Sequence, residues 1–127
     1  AGLSQGGAAV MLNALQSYPR AAIVASGVSL ITSDAEWSGH NQIISVPGYA
    51  ELYEEDNLLS ALERTPTQWF FSWGLRERGV YKIESEEGRT AQAIDGLSNV
   101  EIVIHEEAHV FPVEDIKYWL GGVAISQ

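Results

Sequence analysis

The chain has 127 residues, 46% of them hydrophobic, which is enough to pack one core and too apolar for a disordered segment. Seventeen acidic residues against seven basic ones leave a formal charge of -10, which argues against nucleic acid and anionic membranes as partners, since both need a basic face. Cysteine is absent, so disulfides, thiolate metal sites and cysteine nucleophiles are excluded. No apolar run approaches the roughly 20 residues of a membrane span, and no secretory signal pattern is visible. A cysteine-free chain is compatible with a cytoplasmic or an exported home.

In chain order, residues 5 to 17 are rich in Ala, Leu and Met and stop before Tyr18-Pro19, which predicts a helix. Ala21 to Val28 is a short apolar run with β-branched residues and reads as a buried strand. Residues 29 to 50 carry Ser, Gly, Asn and Pro among isolated apolar positions; a connection this long reads as a lid, a binding loop or a plain surface excursion. Leu52, Leu58, Leu59 and Leu62 fall near helical spacing and place a helix at about 49 to 63. Thr67 to Trp73 reads as a strand ending at Gly74, and Glu87 to Leu97 as a helix ended near Asp95-Gly96. Val100 to Ile104 is a strand. Pro112 opens a last helix, which Gly121-Gly122 is expected to close. Strands alternating with helices predict an α/β fold, with parallel strands and flanking helices in a single domain over 1 to 127.

Gly2-Leu3-Ser4-Gln5-Gly6 matches G-x-S-x-G. In that pattern a serine sits on a tight strand-to-helix turn, so that its hydroxyl stands clear of the sheet. Both glycines are expected to leave room for the turn. The N–H of the next residue, Gln5, would face a forming oxyanion, and the helix dipole would add to it. Five residues with three fixed positions also fit a glycine-rich turn capped by serine at a helix N-terminus. The small residues Gly7, Ala8 and Ala9 suit a helix packed closely on a sheet.

The segment GLSQGGAAVML resembles the nucleophile elbow of the carboxylesterase and acyl-protein thioesterase branch of the α/β-hydrolases. The resemblance continues through AAIVASG, similar to the next strand of that family. It continues through Thr65-Pro66 with QWFFSWGLRE, similar to the strand that ends in a glycine and carries the triad acid three residues on. It ends with VEIVIHEEAH, similar to the last strand and histidine loop. It implies the C-terminal half of an α/β-hydrolase fold and a triad of Ser4, Glu77 and His109. It also implies Gln5 in the oxyanion hole, no cofactor, and a carboxylic ester or thioester substrate, either a small molecule or an acyl-protein. The chain departs from the family in having Glu77 for the usual aspartate and Trp73 where a histidine usually precedes the glycine; Val80 stands in for the hydrophobic residue after the acid. Ser, acid, His is the chain order this fold uses, and each residue falls on a loop at the carboxyl end of a strand. Ser4 would attack the acyl carbon, His109 would move the proton, and Glu77 would hold the imidazole.

Other assignments compete. His105 suits a buried, hydrogen-bonded structural histidine or a rival base, and His40 a surface position. Glu84 and Glu86-Glu87 are rival acids that also fit a solvated helix start. His105-Glu106-Glu107-Ala108-His109 matches H-E-x-x-H, but that zinc pattern needs a helix to bring both rings to one face, and a strand-like run precedes it. Trp37 is a substrate-pocket candidate in the long connection; Tyr49, Trp69 and Trp73 could line the same pocket or serve as packing. The strand that should carry Ser4, the earlier central strands and a second oxyanion donor are all missing from this reading. The expectation is therefore an N-terminal segment or a partner chain that supplies them. A non-catalytic interaction module derived from a hydrolase and a zinc hydrolase are the alternative functions.

Overall fold

Short β-branched and aromatic runs alternate with Ala- and Leu-rich ones, and the chain folds them as strands and helices in turn. The computed structural model describes residues 1–26, 55–77 and 91–125. The elements are β1 (Gly2–Leu3), α1 (Gln5–Ser17), β2 (Ala21–Ala25), α2 (Glu55–Arg64), β3 (Gln68–Gly74), β4 (Val100–His105) and α3 (Val113–Ile125), with a helical turn at 91–94 before β4. The strands form one parallel sheet in the order β1-β2-β3-β4. Sequence order equals spatial order, so each crossover leads to the neighbouring strand and all carboxyl ends meet at one rim.

Alternation along β3 divides the interior into two faces. Trp69, Phe71 and Trp73 point to one face, where they pack with Met11 and Ala14 of α1, Leu58 and Leu62 of α2, and Ile94. Their rings stack in sequence, with centroids 5.9 Å apart for Trp69–Phe71 and 6.1 Å for Phe71–Trp73. On the other face Phe70 and Ile23 pack with Ile116 and Trp119 of α3. A polar stitch ties the amino end of the sheet. Asn99 Nδ2 donates to the carbonyls of Leu62, Thr65 and Thr67 at 2.9, 3.3 and 3.1 Å, joining α2 and the β3 entry to β4. Replacing Asn99 with alanine removes these three bonds, leaves Leu62 with its donors from Thr65, and is expected to cost about 1–3 kcal/mol in urea unfolding. A loss below about 0.5 kcal/mol would show that water replaces the lost amide.

Two expectations change. The strand before Ser4 is present as the two-residue β1, because Gly2 and Leu3 register with Val24 and Ala25 and the Ser4 N–H donates to the Ala25 carbonyl at 2.9 Å. The last helix does not close at Gly121-Gly122 but runs to Ile125. Buried Val123 anchors its final turn, and Arg20 Nη2 donates to the Val123 carbonyl at 3.0 Å. Tertiary contacts thus outweigh the roughly 1 kcal/mol per glycine that favours an earlier stop. The strand expected to end at Gly74 does so, as β3. The connection at 29–50, the start of the second helix before residue 55 and the helix before residue 91 lie outside the described residues. Among the described residues no helix is long and apolar enough to cross a membrane.

Candidate active site

Ser4 links β1 to α1 with φ 59° and ψ −126°, a backbone region that costs a non-glycine residue about 1–3 kcal/mol. A helix-capping serine has extended backbone and bonds a nearby N–H through its side chain. Ser4 has neither feature, since no side-chain cap bond is made. The turn is instead held by backbone: Ser4 N–H to the Ala25 carbonyl, and the N–H groups of Gly7 and Ala8 on the Ser4 carbonyl at 2.9 and 3.3 Å. The Gln5 N–H precedes these, among the helix-start N–H groups that have no intrahelical acceptor.

The glycines around Ser4 differ in why they are small. A Cβ at Gly2 would lie 2.1 Å from the Gly6 carbonyl oxygen, so the first glycine of the motif is sterically required. A Cβ at Gly6 would meet nothing within 4 Å, contrary to the expectation that both motif glycines make room. The second tight position is Gly7, where a Cβ would come within 3.1 Å of Val24 Cγ1 and 3.2 Å of the Gly2 carbonyl oxygen.

Glu77 and His109 meet although 32 residues separate them: Nδ1 of His109 lies 2.7 Å from Oε1 of Glu77. The other carboxylate oxygen, Oε2, accepts the Gly74 N–H at 3.1 Å. The Glu77 side chain is fully buried and the imidazole is 36% exposed. Both carboxylate oxygens therefore have donors, which makes burial of an ionisable group tolerable. An ionised carboxylate only accepts, so the tautomer that suits this contact carries its proton on Nδ1 and leaves Nε2 as the basic nitrogen of the ring.

The rim joins these loops by backbone. Ser26 N–H donates to the Ser72 carbonyl at 2.7 Å, Leu75 N–H to His105 at 2.8 Å, and Arg76 N–H to Glu107 at 3.0 Å. Ser4, Glu77 and His109 thus all follow carboxyl ends of strands in one sheet, where ligands bind in open α/β folds. Sequence reasoning missed Ser26, a buried residue with φ 46° at the end of β2. It also missed Ser72. The hydroxyl oxygens of both serines are buried without a hydrogen-bond partner among the described residues. The small residue pair at 25–26 was the available signal.

The competing residues fall elsewhere. His105 ends β4 half-buried, with both ring nitrogens shielded and without a hydrogen-bond partner among the described residues, so it is not the buried, hydrogen-bonded histidine expected. Because 100–105 is a strand, the two histidines do not share a helix face, and no group of three metal-ligating side chains gathers among the described residues. Trp69 and Trp73 are fully buried in the core rather than lining a pocket. Trp37, His40, Tyr49, Val80, Glu84, Glu86 and Glu87 lie outside the described residues.

No protein-family model matches the chain, and no curated protein matches its sequence. Among solved structures it is similar to an esterase of Pyrococcus furiosus, with a TM-score of 0.58 and 18% identity, over 96% of this chain and 50% of that one. The chain thus spans half the length of that esterase, and the likeness shows a shared α/β fold: a parallel four-stranded sheet with flanking helices.

Proposed function

We propose that this chain carries the triad of a serine hydrolase, in the manner of the carboxylesterase and acyl-protein thioesterase branch, cleaving carboxylic esters or thioesters. The observation that carries the reading is the 2.7 Å contact between His109 Nδ1 and a buried Glu77 at the rim that also bears the strained Ser4. Ser4 Oγ attacks the acyl carbon as His109 Nε2 takes its proton. The Gln5 N–H stabilises the oxyanion of the tetrahedral intermediate. His109 then protonates the departing alcohol or thiol, and water releases the acyl group from Ser4 by the same steps in reverse. No cofactor takes part. The esterase of similar fold is twice as long, which supports a further segment or a partner chain as the source of a second oxyanion donor and of more strands beside β1.

A fluorophosphonate probe tests this directly. The expected result is one covalent adduct on the peptide containing Ser4, absent from Ser4→Ala. A folded protein that takes no label, or labels another serine, sinks the proposal and leaves the non-catalytic module as the reading.

A further inference from the structure

Gly74 has no local reason to be glycine. It sits inside β3, paired with His105 of β4, and among the described residues Gly96 is the glycine with positive φ. Strands disfavour glycine, since it gains no packing and loses more backbone freedom than other residues. The reason lies in what approaches it. A Cβ at position 74 would lie 2.3 Å from the Glu107 carbonyl oxygen, 2.4 Å from that of Ala108 and 2.9 Å from His105 Cε1. Two of these atoms are backbone and cannot swing aside as a side chain would. They belong to the loop whose next residue is His109. The Gly74 N–H holds Oε2 of Glu77 at 3.1 Å, and the Gly74 carbonyl accepts the Glu77 N–H at 3.2 Å.

We propose that Gly74 is a positioning residue for the Glu77–His109 pair: the bare Cα lets the histidine loop rest on the end of β3, while the N–H aims the carboxylate that the imidazole meets. Its catalytic consequence rests on the hydrolase reading; its geometric half does not. To admit a methyl group, the Glu107 carbonyl must retreat from 2.3 Å to the 3.4 Å of an ordinary contact, taking the histidine loop with it. A misplacement of this size lowers turnover by about 10²-fold when it falls on a catalytic group.

The experiment compares the protein with Gly74→Ala and with Gly122→Ala, a helical glycine where a Cβ meets nothing within 4 Å. The first readout is the His109 Nδ1 proton in the NMR spectrum, assigned by its loss in His109→Gln. We expect Gly74→Ala to lose or displace that resonance while circular dichroism stays native, with kcat on an activated ester down about 10²-fold at nearly constant KM. Gly122→Ala should match the wild type in both. An unchanged resonance and kcat in Gly74→Ala overturn the proposal. If Gly74→Ala does not fold, amide exchange decides: Glu77→Ala should speed exchange of the Gly74 amide at least tenfold while sparing that of Phe71, and equal exchange overturns it. A wild type that shows the resonance, loses it in Gly74→Ala, yet takes no fluorophosphonate defeats the hydrolase reading and leaves the positioning role standing.

Discussion

Replacing His109 with alanine is expected to lower turnover of an activated ester by about 10⁵–10⁶-fold, a loss comparable to removing the nucleophile itself. Among the described residues the proposed chemistry leaves Ser4 with no other histidine as base: His105 keeps its ring nitrogens buried. Glu77→Gln should cost less, about 10⁴-fold, because an amide keeps the shape of the carboxylate while no longer dictating which imidazole nitrogen carries the proton. Combining Glu77→Gln with His109→Ala should do no further harm, since the acid acts only through the ring it touches at 2.7 Å. Steady-state kinetics on the four proteins close this cycle. Turnover within tenfold of wild type for His109→Ala, or additive losses in the double variant, would remove His109 from the mechanism.

The largest effect on stability is expected at Trp69. Its side chain is fully buried, its ring stacks on Phe71, and its Nε1 donates to Thr65 Oγ1 at 3.0 Å. Truncation to alanine opens a cavity against α2 and β4 and should cost about 3–5 kcal/mol. A domain holds only about 5–15 kcal/mol in total, so the variant sits near the edge of folding at room temperature. Trp69→Phe keeps most of the ring volume and loses the indole N–H, for a cost of about 1–2 kcal/mol. Urea midpoints for the two variants separate volume from hydrogen bonding. Equal losses in both would show that the bond to Thr65, not the packed volume, dominates.

Much of the layering is legible along the chain, because QWFFSWG is a short, nearly continuous apolar run, as a parallel strand covered on both faces requires, and α2 carries an apolar stripe. What escapes such reading depends on contacts between distant residues. Gly121-Gly122 carries a local stop signal that the buried Val123, its carbonyl held by Arg20, overrules. Gly6 and Gly7 are indistinguishable as letters, yet only the second presses against β2. Nothing local pairs residues 77 and 109. A family resemblance suggested the assignment, the fold places them in contact, and the catalytic role attached to that contact is our proposal. Gly74 was legible as a letter but its reason was not, because the carbonyls that forbid a side chain there come from a loop more than thirty positions later.

The aromatic ladder on β3 also supplies an optical gauge. Indoles at 69 and 73 flank the Phe71 ring in the dry interior, while the indole at 119 leans on Phe70 across the sheet. Shielded indoles fluoresce toward the blue, and wetting shifts them red, so intrinsic fluorescence reports the two faces as they open. Because Trp73 adjoins Gly74, replacing it alone with phenylalanine isolates the colour of the strand end nearest the acid, and local loosening there becomes separable from loss of the whole core.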